Sequence, residues 1–555
     1  KRHFILYLYI KSMQKEISEL YNLIKIRNID KAYSEAKRLY DFDDSNLDVI
    51  KILVFLHIQK SQFDSAIKVL EKYYNKNPDK KDFDYYANMG ISLKSNEEYE
   101  QSLAMYDKAK EINPESPLCF TVPAEINLKL RKFQTSINLI NEAIEKIEDS
   151  KEQNILHFPN AIKLKTEINV GLNNDAENGI MLKAILNEKF HPDIFYLIAT
   201  VNPSLIDGKL LTSAEDQLKT NNETFKNKLD RFWHVHPIYF GLAIYYQKID
   251  QKKSEQYFHL GNKETMQSLR YNSFDYQKSI GNITACYDEH FSKIDTSNDS
   301  TGNNNFFILG TPRSGTTLIE SFISSNKEVT SAGELTSANR LIEKFINKPD
   351  GTNLDHFVSD FRKTYLERTN FLRGDFKYVV DKLPENFLFI GYLFKLLPGT
   401  KIIRTFRNPW DVAVSLYKQR YVTNIPYSAS FFNIGVFMAN FEAINRFWSR
   451  VLESESNMLD IKYEELVEDP EKFQKKIYEF LKLESDFSEE KRRSFFSQTA
   501  SIRQVGSAVH KNSIKKEEFL DRKEEFFEAL LMQRKYWEKR GFSSSSPDFF
   551  GYDLT

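Results

Sequence analysis

Residues 310–317 read Gly-Thr-Pro-Arg-Ser-Gly-Thr-Thr, and here the residue types describe a chemistry by themselves. An apolar run, Phe306 to Leu309, precedes them, and Leu318 to Ile323 follow with apolar residues at helical spacing, so the segment reads as buried strand, tight loop and amphipathic helix. Such a loop aims successive backbone N–H groups at one point, and the helix N-terminus adds its dipole, so an anion is the natural occupant and a phosphate the commonest one. Four residues separate Gly310 from Gly315, and Thr317 holds the Ser/Thr place, as in the loops of nucleoside triphosphatases. The lysine of those loops, which reaches the β- and γ-phosphates, is replaced by Thr316, and the cation is Arg313, inside the loop. The pattern suits a phosphate group without suiting a triphosphate with its metal; an ordinary strand–helix turn is the plainer alternative.

The spelling Pro312, Arg313, Ser314, Gly315, Thr316, Thr317, Leu318 resembles the 5′-phosphosulfate loop of sulfotransferases that use 3′-phosphoadenosine 5′-phosphosulfate (PAPS). It is most similar to the loops of tyrosylprotein sulfotransferases and of bacterial sulfotransferases bearing tetratricopeptide repeats. Further blocks follow in the family's order across 306–540, and Phe240 to Ala243 with Asn262 resemble the stretch that precedes the catalytic domain in the bacterial members. The resemblance implies a P-loop-like α/β domain with a mostly parallel sheet, PAPS as donor, adenosine 3′,5′-bisphosphate as product and no required metal. Residues 312–317 would then hold the 5′-phosphate.

Each later block carries a role by that resemblance. Glu334, 19 residues after Gly315, matches the general base that takes the acceptor's proton; a carboxylate favoured by a nearby helix N-terminus is the alternative. Lys382, followed by Leu383 and Pro384, matches the cation beside the bridging oxygen, where negative charge grows as the bond breaks. A strand-end lysine paired with Asp381 or Glu385 would look the same. Together with Arg313, these two make up the expected catalytic set. Arg407, at the end of an apolar strand, and Ser415, eight residues on, have the spacing that binds the 3′-phosphate in the family. Arg404 competes for that role, but strand alternation sends the two arginines to opposite faces. Tyr463 resembles the tyrosine near the nucleotide, with a sheet-edge cap as the alternative. Ser501 and Lys515 fall where a late loop folds over the cofactor, although the aromatic residue usual there is replaced by Asn512 to Lys516.

The elements that position these residues lie in a chain of two characters. In the first 150 residues, Ile29/Ala32, Phe63/Ala66, Tyr99/Ser102 and Phe133/Ser136 repeat an apolar residue three positions before a small one, in steps of 34, 36 and 34. Apolar residues continue at helical spacing, and Asn77-Pro78 and Asn113-Pro114 close two units. This resembles the tetratricopeptide repeat, a solenoid of stacked helix pairs with a concave face for extended chains. Residues 151–294 keep helical patterning without the period. Residues 295–305 contain no hydrophobic side chain and read as a linker, 306–541 as the sulfotransferase-like domain and 542–555 as a Ser-rich tail.

Composition sets the outer limits. Lys+Arg 77 against Asp+Glu 78 gives a formal charge of -1, so no global field points to nucleic acid or an acidic membrane, and any anion site must be local. Cys119 and Cys286 are far apart and form no metal or redox pattern, which fits a reducing, cytoplasmic setting; the short apolar block Phe4 to Ile10 leaves export open. No run is long enough to span a bilayer. The expectation is therefore an α plus α/β chain, a tetratricopeptide-like solenoid followed by a P-loop-like domain. It would transfer a sulfuryl group from PAPS to a hydroxyl acceptor, protein tyrosine or carbohydrate, with a peptide or polysaccharide held by the repeats, and a homodimer as a further use of them. The rivals are a kinase-like ATP user and a non-enzymatic repeat scaffold with a degenerate transferase domain.

Overall fold

A computed structural model of the chain describes residues 2–25, 28–149, 157–172, 174–269, 271–349, 352–422, 425–484, 492, 495, 514, 517–542 and 548–553. It divides into two compact units, Lys1–Ile168 and Asn169–Thr555.

The first unit is a series of helices, among them Ile29–Phe42, Leu47–Gln59, Phe63–Lys76, Phe83–Ser95, Tyr99–Ile112, Leu118–Lys129 and Phe133–Asp149, each packed on the next. The sequence period returns as repeated geometry. Ala32, Ala66, Ser102 and Ser136 are all buried where two helices approach, as small residues allow. Ser102 Oγ donates to the Gly90 carbonyl at 2.7 Å, and Ser136 Oγ, one repeat later, donates to the Ala124 carbonyl at 2.6 Å. The turns repeat too. Asn28, Gln62, Glu98 and Lys132 each donate a backbone N–H to the carbonyl five residues back, on Leu23, His57, Leu93 and Asn127. Ser61, Glu97 and Arg131 take the left-handed conformation that ends a helix this way.

The second unit is built on a five-stranded parallel sheet: β1 (Asn305–Gly310), β2 (Val329–Gly333), β3 (Tyr378–Asp381), β4 (Lys401–Phe406) and β5 (Met458–Lys462), in the order β2-β3-β1-β4-β5. Side chains alternate across it, as period two requires. Phe306, Ile308, Val380, Ile403 and Ile461 bury one face with Ile319, Phe322 and Ile323 of helix Thr316–Ser324 and Phe473 and Ile477 of helix Pro470–Leu481. Phe307, Leu309, Val379 and Ile402 bury the other with Phe437, Phe441 and Trp448 of the long helix Phe431–Val451. Helices on both faces are what a parallel sheet needs.

That second core also contains Phe240, Phe258, Ile280, Ile283 and Phe291. Most of the stretch expected as a connector therefore packs as part of the sheet unit. Asn262 Nδ2 donates to the Tyr417 carbonyl at 2.8 Å and the Tyr392 hydroxyl to the Ile283 carbonyl at 2.7 Å. The polar run at 295–305 is fastened as well: Asp299 pairs with Arg362 at 2.8 Å, Gly302 N donates to the Pro398 carbonyl at 2.7 Å, and Asn305 is already in β1. Its lack of apolar side chains excludes it from the core, but backbone and carboxylate hydrogen bonds order it. At the other end, Phe549 is buried and the Phe550 ring lies 4.4 Å from Phe406, while 543–547 lie outside the described residues. Among the described residues, no helix is long and apolar enough to cross a membrane.

Candidate active site

The C-terminal ends of β1, β3 and β4 meet at the middle of the sheet, and ligands of open α/β sheets bind outside such strand ends. From β1 the chain enters the predicted loop and then helix Thr316–Ser324. Two glycines make the turn feasible. Gly315 has φ +98°, and a Cβ there would collide with the Tyr463 ring; a Cβ on Gly310 would collide with Thr405. Arg313 holds φ +73° without being glycine, a conformation that costs energy and gathers at functional sites. Ser314 Oγ donates to the Thr311 carbonyl at 2.7 Å and contacts Thr405 Oγ1, tying the loop to β4.

The flank of the loop is formed by β4 and helix Pro409–Tyr417, whose N-terminus is capped by the Asn408 side chain accepting from Trp410 N (3.0 Å) and Asp411 N (3.2 Å). Arg407 donates to the Arg313 carbonyl at 2.7 Å, and Arg313 Nε donates to Ser415 Oγ at 2.9 Å. The expected pair, Arg407 and Ser415, is thus brought against the loop. Burial is the main influence holding Arg313 below the ordinary guanidinium pKa, and the Arg407 charge adds to it. Tyr463 opens a short helix after β5, and its ring lies 4.5 Å from the Arg407 guanidinium and against Gly315. Arg404 is occupied elsewhere: it grips Asp460 with two hydrogen bonds of 2.7 Å and donates to Ser449 at 3.0 Å.

The remaining expected residues come from β2 and β3. The pairing of these strands shifts register between Ser331 and Gly333, a bulge that re-aims the chain just before Glu334. Lys382 follows β3, anchored by its own N–H donating to the Gly333 carbonyl at 2.9 Å. Its ammonium is ion-paired to Glu334 and lies 3.8 Å from Glu320 Oε2. The partners foreseen for a merely structural lysine are otherwise placed: Asp381 accepts from the Tyr365 hydroxyl at 2.8 Å, and Glu385 sits in the following turn. The Lys382 side chain keeps 1% exposure and Glu334 keeps 40%, so the carboxylate faces outward and the cation inward. Glu385 is pushed up to about 7, chiefly by burial, with the Glu334 charge adding.

Ser501 and Lys515 lie outside the described residues. Glu320 escaped the sequence reading, as did Thr405 and Tyr365. A signal for Glu320 existed: it is the one charged residue in a helix whose other positions, from Thr316 to Ser324, are apolar or hydroxyl-bearing.

Residues 305–489 match the family model described as "Sulfotransferase family". This domain belongs to the sulfotransferase family. An uncharacterized protein of Aquifex aeolicus (strain VF5) is 30% identical over 228 residues, 38% of this chain and 30% of that protein, so the match spans under a third of the relative's length. Similar solved structures include the sulfotransferase domain of the Synechococcus PCC 7002 olefin synthase (18% identity, 46% of this chain, 100% of that chain, TM-score 0.25). Another is the sulfotransferase STF9 of Mycobacterium avium (13% identity, 51% of this chain, 86% of that chain, TM-score 0.26). The matched stretch of the sulfotransferase domain takes in the loop, Glu334, Lys382, Arg407, Ser415 and Tyr463.

Proposed function

We propose that this sulfotransferase takes its sulfuryl group from PAPS and delivers it to a hydroxyl of a protein tyrosine or a carbohydrate. The observation that carries the reading is the placing of Arg407 and Ser415 against a phosphate loop whose lysine is missing. A donor with phosphates at both its 5′ and 3′ positions calls for two neighbouring cationic clusters, and no triphosphate machinery is needed. The glycines at 310 and 315, where side chains would collide with their neighbours, fit a loop that must bring its backbone close to a phosphate.

In this reading residues 312–317 hold the 5′-phosphate and Arg407 with Ser415 the 3′-phosphate, with Tyr463 alongside and Ser501 and Lys515 covering the nucleotide. The donor supplies the electrophilic sulfur. Glu334, the outward-facing member of its ion pair, takes the proton from the acceptor hydroxyl as the new oxygen–sulfur bond forms. As Glu334 is neutralised, the Lys382 ammonium is released toward the oxygen from which sulfur departs, where charge accumulates. Arg313 neutralises the sulfuryl oxygens. The stacked helix pairs of the first unit, read as tetratricopeptide-like, favour a peptide or another extended acceptor, because such arrays present a concave face to long chains.

Calorimetry with adenosine 3′,5′-bisphosphate, 5′-AMP and ATP tests the donor. The bisphosphate should bind without magnesium and at least about tenfold more tightly than 5′-AMP, since charge-assisted phosphate hydrogen bonds contribute about 1.5–3 kcal/mol each. Equal affinity for 5′-AMP removes the 3′-phosphate site, and magnesium-dependent preference for ATP returns the kinase reading. An acceptor panel of phenols, tyrosyl peptides and polysaccharides, followed by bisphosphate release, then identifies the hydroxyl; no turnover with any of them would favour a degenerate scaffold.

A further inference from the structure

Lys382 stands between two carboxylates, and only one of them has a part in the transfer just described. Glu334, exposed, receives the acceptor's proton. Glu320 is fully buried on helix Thr316–Ser324, directly behind the phosphate loop, with its Oε2 3.8 Å from the lysine ammonium. Its other oxygen, Oε1, accepts from Ser331 Oγ at 2.5 Å, and that same Ser331 Oγ accepts from Gly333 N at 2.9 Å. The bulge that aims Glu334 therefore also fixes Glu320.

A carboxylate with no exposure is costly to bury, and it is retained only where a cation and hydrogen bonds answer it. The lysine has the converse problem. Its side chain is almost wholly out of water, and an ammonium so placed is costly unless a negative charge stays beside it. During transfer Glu334 becomes neutral at the moment when Lys382 must be charged.

We propose that Glu320 is a positioning residue, the permanent counter-ion that balances the Lys382 ammonium and holds it in place while Glu334 is neutralised by the acceptor's proton. The chemical balance is that of the transfer itself: the hydroxyl proton goes to Glu334, the acceptor oxygen bonds to sulfur, and the electron pair of the broken sulfur–oxygen bond stays on the 5′-phosphate. Glu320 neither gains nor loses a proton. Other charged or titratable groups around Lys382 are Glu385 in the following turn, Asp381 before it, and Tyr365 of helix Leu354–Arg373, which hydrogen-bonds Asp381. All three remain in every variant below. The inference rests on the proposed transfer for its purpose, but the test needs no ligand, so failure of bisphosphate binding and failure of this ion pair are separate results.

Glu334→Gln copies the neutralised state. Urea unfolding of Glu334→Gln is compared with that of Glu320→Gln/Glu334→Gln from about pH 7.5 to 9.5, above the range in which Glu385 titrates. With Glu320 present the ion pair should add no slope. Without it, an ammonium is left buried with its counter-ion removed, so the folded chain should release a proton that the unfolded chain keeps. Stability must then rise with pH, by up to about tenfold in the folding equilibrium per pH unit. Adding Lys382→Met should abolish the rise. A flat profile in the double variant, or a rise that survives Lys382→Met, overturns the proposal. Should the double variant fail to fold at pH 7.5, recovery on adding Lys382→Met is the same result in stronger form, and failure of that triple variant assigns Glu320 to another task. Where the acceptor panel gives turnover, Glu320→Gln alone should lower kcat by at least about tenfold at unchanged bisphosphate affinity, with partial recovery in Glu320→Asp; normal kcat overturns the inference equally.

Discussion

Among single residues, Glu334 and Glu385 sit close together and are expected to behave oppositely. Glu334→Gln keeps the shape of the side chain and removes its basicity, so bisphosphate affinity should survive while turnover falls by about 10²-fold or more. Bisphosphate affinity falling in parallel with turnover would make Glu334 a binding group. Glu385 is raised from 4.5 to about 7 by burial, so the folded chain holds a proton that the unfolded chain has released. Its contribution to stability is complete below its ordinary value and is lost as pH rises through about 7. Thermal melts from about pH 5 to 7.5 should show the native chain losing more stability than Glu385→Gln; parallel curves would refute the raised value.

At the level of elements, the loop between β1 and helix Thr316–Ser324, proposed to hold the 5′-phosphate, depends on backbone geometry more than on side chains. Gly315→Ala would place a Cβ at φ +98° and against Tyr463. The left-handed conformation alone costs about 1–2 kcal/mol in a residue with a Cβ. Bisphosphate binding should weaken by at least about tenfold, and calorimetry on the native chain and this variant decides it. In the helical repeats the equivalent devices are Ser102 and Ser136, whose hydroxyls bridge to the preceding helix. Replacing either by Ala should cost about 1 kcal/mol in urea unfolding of the first unit. Similar losses at both would show that the two positions do the same work in successive repeats.

For the whole molecule, the shared core fixes where the chain can be divided. Phe240, Phe258, Ile280 and Phe291 belong to one cluster with Phe307, Leu393 and Trp448. A chain beginning near Ser300 loses those partners from one face of the sheet, and it should aggregate or show no cooperative unfolding. A chain beginning at His157 keeps the whole second unit and should still bind the bisphosphate. If it binds a small hydroxyl acceptor normally but shows a raised KM for a long one, the repeats recruit the acceptor; equal kinetics on both would move their role to a protein partner or a second copy.

What the sequence determined by itself is whatever depends on neighbours along the chain. The strand, loop and helix around Gly310–Thr317 were legible because apolar patterning and two glycines at fixed spacing specify that path locally, and the 34- to 36-residue period was legible because each helix pair repeats the same local problem. Arg407 and Ser415 were paired through the family resemblance, and the capped helix that follows Arg407 and carries Ser415 keeps the two within one local segment. The trio of Glu320, Lys382 and Glu334 was not readable in this way. Its members lie on three segments, which meet because the sheet places β3 between β2 and β1. Their chemistry comes from burial, which makes each charge answerable to the others, and burial is set by the whole sheet unit. The same reason explains the stretch from Asn169 to Ile294. Its helical periodicity showed that it had an apolar face, but only tertiary packing decided that this face completes the core beneath the active site.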